Sequence, residues 1–268
     1  MAKNDLDILL ENLDFELEEH LGRILLGLED RRVEGEAVLD LCLNHRRTAI
    51  ALLLSALDAQ GFRQNLYQSG RAYAFLLRMA QQGYAVDTYS TCKSRAEPFW
   101  DAVAADDIES AQEIASLAPA QWQQGLENES DYRYVDFIHA LLRSPDERPV
   151  LEARFTAFER STEGSDSARL GLCTALIQRD EQRFGSTLLE LLDEHHQHHS
   201  ELIRTNSIAH EDAQTQAFVF IEGIALVKLA RLVDIHPRRQ LRFIPDVTLA
   251  SPSSPLDRGD PWVELTTA

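Results

Sequence analysis

Apolar and polar positions recur along most of this chain with a period of three to four residues. Leu6, Leu9, Leu10, Leu13, Leu17, Leu21, Ile24, Leu25 and Leu28 mark one face of a helix over 6–28, with acidic residues on the outer face. After a polar break at 29–36, residues 37–60 form a very apolar stretch centred on Ala49-Ile50-Ala51-Leu52-Leu53-Leu54. Gly61 is predicted to end it as a C-cap. Residues 64–82 repeat the pattern and stop at Gly83.

The densest apolar run is 218–233, from Phe218 to Val233, and it carries one carboxylate, Glu222. A helix apolar nearly all round belongs at the centre of a core. At 100° per residue, Glu222 lies roughly 120–180° around the helix from Lys228 and Arg231. It therefore cannot share their face, which reads as the solvent side. A carboxylate on a buried face needs a hydrogen-bonding or cationic partner. Glu222 is thus predicted to be a structural, hydrogen-bonded, buried carboxylate.

Between these segments runs a weak internal repeat. Ala102, Ala140 and Ala175, spaced 38 and 35 residues apart, each open a short acidic turn followed by a helix: 108–117, 150–159 and 181–192. Asp107, Asp146 and Asp180 suit the N-caps of those helices. Such spacing is that of helix-hairpin repeats. The predicted fold is all-α: one domain over 1–250 of stacked helix hairpins, α-solenoid-like, with the repeats at about 96–195 and at most one short strand pair. Residues 239–250 leave room for a short extended piece turning at Pro245. Loops are predicted at 124–131, 161–167 and 251–260. Residues 251–268 form a Pro/Ser-rich tail that Trp262 could anchor.

Composition agrees with helix and narrows the partners. Ala, Leu, Glu, Gln and Arg dominate, and all are helix formers. The net charge is −18, from 44 acidic and 26 basic side chains. That balance argues against nucleic-acid backbones and anionic lipid, and it suits a basic protein partner. Three scattered cysteines, Cys42, Cys92 and Cys173, fit a reducing compartment. No signal-peptide pattern and no long uncharged apolar run is seen, so a cytoplasmic protein without a membrane span is expected.

The chain carries no recognisable catalytic signature. No G-x-S-x-G, G-x-x-x-x-G-K-[ST] or G-x-G-x-x-G occurs, so neither a serine nucleophile nor a nucleotide cradle is indicated. His45 follows Cys42 by one helical turn, an arrangement better read as a core thiol beside an edge imidazole. Arg46-Arg47 is read as a small, paired surface spot. His195, His198 and His199 share a helix face at i, i+3 and i+4, a spacing open to a transition metal, but the set lacks a complete ligand pattern. It is read as a solvated helix end near the negative dipole, dispensable for function, with no metal and no cofactor. The aromatics Phe99, Trp100, Tyr132, Tyr134 and Phe137 fit core packing. Beside Tyr132, however, stand Glu127, Glu129 and Asp131. An acidic turn flanked by tyrosine is also the composition of a protein-binding surface, so Glu127, Glu129, Asp131 and Tyr132 are the candidate contact residues.

Three features carry a family resemblance. One is a Trp-led helix ending in an Ala-x-x-x-Asp-Asp turn, from Trp100 to Asp107. The second is the late apolar helix from Phe220 to Ala230. The third is the closing segment Arg242-Phe243-Ile244-Pro245, which stands where an aromatic-x-Pro turn occurs. Together with the hairpins these resemble the immunity protein 49 family of bacterial polymorphic-toxin systems, over roughly 49–249. Val233 to Pro237 replaces a link that elsewhere contains Gly. The resemblance implies a non-enzymatic cytoplasmic antidote that binds one cognate secreted toxin, as in type VI delivery, through a basic docking face on the toxin. A helical-repeat scaffold or regulator binding another protein is the alternative that the residues themselves leave open.

Overall fold

The computed structural model describes residues 5–162, 167–237, 240–252 and 254–258. Its α-helices, in chain order, are α1 (Asp5–Glu29), α2 (Gly35–Ala56), α3 (Ala59–Gln81), α4 (Glu97–Ala104), α5 (Ile108–Leu117), α6 (Glu129–Arg143), α7 (Arg148–Ser161), α8 (Ala168–Gln178), α9 (Glu181–Arg204), α10 (His210–Gln214), α11 (Ile221–Ala230) and α12 (Asp246–Leu249). Two 3-10 turns, Tyr89–Thr91 and Arg231–Val233, complete the set. The fold is all-α, and among the described residues there is no strand. The room left for a strand pair near Pro245 holds only the isolated Leu241–Ile244 bridge.

Helix starts follow from short polar side chains that satisfy otherwise unpaired amides. Asp58 accepts from the Gly61 amide at 2.8 Å, Asn128 from Ser130 at 2.9 Å and Asp180 from Arg183 at 2.9 Å. Asp107 and Ser167 do the same for Ser110 and Leu170. Two boundaries differ from expectation. Gly61 lies in the first turn of α3 and ends nothing: α2 stops at Ala56, and Leu57 takes the left-handed conformation that closes it. Asp146 is not a cap either. Glu147 holds the N-cap position of α7, and Asp146 instead accepts from Arg179 at 2.7 Å, joining the second and third hairpins.

Three long antiparallel helices, α1 to α3, open the chain, each packed on the next. The hairpins α4–α5, α6–α7 and α8–α9 follow, and α5 meets α6 while α7 meets α8 as stacked hairpins do. Gly70 sets the spacing between the two groups: a Cβ there would lie 2.8 Å from the Ala102 Cβ, so α3 and α4 touch backbone to backbone.

Helix α11 turns this layer back on itself. It packs against α4 at one end of the hairpin series and α9 at the other, with α12 alongside. Every residue of α11 except Glu222 is buried. The helix is shorter than the apolar run: Phe218 to Phe220 precede it, and Phe218 is exposed. Lys228 is a further correction. It lies not on a solvent face but in the interior, 8% exposed, where Nζ donates to Ala104 O at 2.7 Å and to Asp106 at 2.8 Å. Arg46 likewise is not a surface residue: it is buried and bonds Asp101, while Arg47 pairs with Asp212 at 2.7 Å. The described part of the tail lies along α3, where Gln64 exchanges hydrogen bonds of 2.8 Å with the Asp257 backbone. Trp262 falls outside the described residues.

Candidate functional site

Because α11 closes the layer, α4, α6, α8, α9 and α11 surround a half-open cleft of about 850 Å³. Glu222 forms its floor. Tyr134 Oη of α6 donates to Glu222 Oε1 at 2.9 Å, and Arg169 of α8 donates to Oε2 at 3.0 Å and to Oε1 at 3.3 Å. The Arg169 guanidinium lies 4.7 Å over the Tyr134 ring and reaches Asp131 at 3.3 Å. Tyr134 is wedged between Trp100 and Phe158. Burial and the neighbouring Glu222 push the Tyr134 hydroxyl well above its ordinary pKa, so it stays a donor. Burial opposes the charge on Arg169, but Glu222 outweighs it and raises the guanidinium further.

Glu222 is hydrogen-bonded but only partly buried, unlike the rest of α11. Its side chain is 12% exposed and fully bonded, but its cationic partner is 38% exposed. Glu222→Ala would not strand a desiccated cation, because Arg169 can still turn to Asp131 and water. The expected cost is therefore about 2 kcal/mol, for the lost charge-assisted bonds and the unpaired Tyr134 hydroxyl. Urea unfolding would measure it, and Glu222→Gln should lose about half as much. An unchanged midpoint would show that the network adds nothing to stability.

The walls are aromatic and the rim is acidic. Glu97, Asp131 and Glu194 line the cleft as exposed carboxylates, against Arg46 and Arg169 as cations. Arg46 is already committed to Asp101, and Arg169 to Glu222. Of the four candidate contact residues, Asp131 alone lines the cleft. Glu129 and Asp131 lie in the first turn of α6, not in a loop, and Glu129 pairs along the helix with Arg133 at 3.0 Å. Glu127 folds the preceding loop by accepting from the Ser94 and Gln123 amides at 2.9 and 3.0 Å. Tyr132 is buried, and its hydroxyl donates to Ala120 O at 2.7 Å. Its ring is covered by Lys93 and Arg133.

The histidines also move. Helix α9 runs on to Arg204, so His195, His198 and His199 lie within the helix and line the cleft, and the helix-end account does not apply. His195 stacks on Phe220 at 4.4 Å and packs at a tilt against His199 at 4.2 Å. Burial brings its pKa down to about 4, leaving it neutral at pH 7. Among the described residues, no group of three His, Cys, Asp or Glu side chains is arranged to hold a metal ion. Cys173 is buried beside the cleft, where burial pushes its thiol well above the ordinary range. The Cys42–His45 spacing forms no dyad either: Cys42 donates to Ser69 O at 3.3 Å, while His45 bonds Asn65 at 3.1 Å.

All three sequence features noted above meet on α11. Asp106, in the left-handed conformation at the end of α4, receives Lys228 of α11, and Asp107 caps α5. Phe220 donates its amide to Phe243 O at 2.9 Å, so the Phe243-Ile244-Pro245 turn clasps the start of α11. A sequence model described as immunity protein 49 matches residues 34–247. The chain belongs to the immunity protein 49 family. The match takes in every helix from α2 to α11 and therefore the whole cleft, while α1 lies outside it. No curated protein and no solved structure matches the chain. The cleft offers carboxylates and a neutral imidazole, which accept hydrogen bonds, and the Tyr134 hydroxyl, which donates to Glu222. No helix among the described residues is long and apolar enough to cross a membrane.

Proposed function

We propose that this protein is an antidote that binds a cognate antibacterial toxin and neutralises it by forming a stoichiometric complex, without catalysing a reaction. The family match over 34–247 carries this reading. The toxin would dock a basic face over the cleft, and the antidote would act in the cytoplasm of the cell that makes it. Two observations support the docking mode. The net charge of −18 favours a cationic partner, and Glu97, Asp131 and Glu194 stand exposed at the cleft rim. Opposite fields of this kind act mainly on the rate of encounter.

The test is co-expression with the product of an adjacent toxin gene, scored for growth rescue and for a complex on gel filtration. Surface plasmon resonance then addresses the cleft. Glu97→Lys, Asp131→Lys and Glu194→Lys together are expected to slow association about tenfold or more at low salt. Rising salt should slow the wild type as its Debye length shrinks. Because the three side chains are exposed, the melting temperature should fall only modestly, through the Asp131–Arg169 pair and two helix first turns. A complex that forms at the wild-type rate with the triple variant would remove the cleft from the interface. A toxin that neither binds nor is neutralised would remove the antidote reading itself.

A further inference from the structure

Helix α1 carries an apolar line that the fold leaves uncovered. Its Leu9, Leu13 and Ile24 are buried against the body, but Ile8, Phe15 and Leu26 are 46%, 69% and 71% exposed. At 100° per residue these three fall within about 20° of one another, and at 1.5 Å per residue the line runs about 27 Å. Isolated exposed apolar residues are ordinary, but three aligned on one side of a helix offer spaced anchors for a partner. The line is framed by charge of one sign. Asp14 and Glu18 stand exposed along one edge, and Glu19 stands exposed between Phe15 and Leu26. Arg23, the single Lys or Arg of the helix, is occupied by Glu34. This helix also lies outside the family match, which begins at residue 34.

From this juxtaposition we propose that α1 is a second docking surface, separate from the cleft, for an amphipathic helix of a protein partner whose apolar stripe is flanked by Lys or Arg. The apolar line provides the buried contact, as in helix-in-groove recognition with anchors spaced by whole turns. The acidic frame decides the partner's sign. A second copy of this chain would bring Asp14, Glu18 and Glu19 against their own kind, in a molecule already carrying −18. A basic helix reverses that repulsion.

The experiment uses the full chain and a defined probe, a fluorescein-labelled 21-residue helical peptide of Leu and Lys with its leucines on one face. Fluorescence anisotropy is read at about 0.15 M salt, with a peptide of the same composition in scrambled order as control. The wild type is expected to bind the amphipathic peptide at least tenfold more tightly than the scrambled one. Ile8→Ser, Phe15→Ser and Leu26→Ser together, which keep the charge, should weaken binding at least tenfold. Asp14→Lys, Glu18→Lys and Glu19→Lys together should do the same, and the Lys triple at Glu97, Asp131 and Glu194 should bind normally. Equal binding by the Ser triple would show attraction to bulk charge and overturn the proposal, as would loss of binding in the cleft triple alone. Sedimentation velocity provides the last arm. A wild-type dimer that the Ser triple converts to monomer would give α1 to a second copy and overturn the proposed occupant. None of these readouts uses the toxin, so failure here leaves the antidote reading untouched, and failure of that reading leaves α1 to be judged by its own test.

Discussion

Replacing Arg46 with alanine is expected to destabilise the fold by about 3–5 kcal/mol, the largest effect of any single substitution considered. Arg46 Nε donates to Asp101 Oδ1 at 2.8 Å between two buried side chains, and the guanidinium also bonds Glu97 O. Asp101 Oδ2 accepts from Ser69 at 2.6 Å. These bonds tie α2, α3 and α4 together directly beneath the cleft. Burial drives the Asp101 carboxyl up to about 6 even with Arg46 and Ser69 pulling it down. Without Arg46, the carboxylate would have to take up a proton or remain charged in the interior, and either costs free energy. The cost should accordingly be smaller at pH 5 than at pH 7.5. Arg46→Met combined with Asp101→Leu should be milder than Arg46→Ala, because no buried charge is left over. Urea denaturation of the wild type, Arg46→Ala and the double variant at both pH values checks this. A loss below about 1 kcal/mol for Arg46→Ala would place the pair with ordinary surface ion pairs.

Acid is expected to weaken the protein well before its carboxylates titrate as a group. Burial lowers the pKa of His139 to about 3, with Lys93 and Arg143 adding to the effect. Burial lowers His45 to about 4, partly countered by Asn65. A histidine depressed in the folded state contributes its stability above the unfolded pKa of about 6.5, and loses it as pH falls towards the folded value. Between pH 7 and pH 5 each of these two should cost about 2 kcal/mol. Asp101 works in the opposite sense. Its raised pKa makes the fold gain about 1 kcal/mol over the same range. These three groups together leave a net loss of about 3 kcal/mol, to which the depressed His195 adds in the same sense. His139 is the position to change. It packs 4.5 Å from Phe99, and neither ring nitrogen has a hydrogen-bond partner. His139→Leu should raise stability at pH 7 by about 1–2 kcal/mol, by removing an unsatisfied buried group. It should also lower the loss between pH 7 and pH 5 by about 2 kcal/mol. Chemical denaturation at four pH values measures both; a pH slope identical in wild type and variant would show that His139 does not titrate on unfolding.

How far the fold could be read in advance depended on which interactions were local. The 3.6-residue period, the end at Gly83 and the caps Asp107 and Asp180 are properties of neighbouring residues, and they appear where the pattern places them. The central position of α11 was legible too, because a segment with so little polar surface has nowhere else to go. Gly61 misled because C-cap and first-turn glycine look alike until Asp58 is seen to hold its amide. The helix over 181–192 was cut short at the histidines because a polar, His-rich run resembles a frayed end. In the structure, Phe220 and Phe243 pack on His195 and His196 and give that run a partner.

The site was legible only in part. Glu222 could be found because one carboxylate in an apolar helix must be bonded, but its partners could not be named. Tyr134 and Arg169 are 88 and 53 residues distant in sequence. The surface assigned to Glu127, Glu129, Asp131 and Tyr132 rested on composition alone. Composition does not reveal that Glu127 is occupied by two amides or that Tyr132 points inward. Lys228 and Arg46 were placed at the surface for the same reason: a charge is normally solvated, and only Asp106 and Asp101, arriving from another helix, permit its burial. The sequence by itself determined the helices, the hairpin order and the family, because period, capping and motif are written in contiguous residues. The tertiary structure alone decided which charges are buried, where the cleft lies and which face of α1 stays bare. Those depend on pairings between distant segments, whose Coulomb and desolvation energies exist only once the helices have packed.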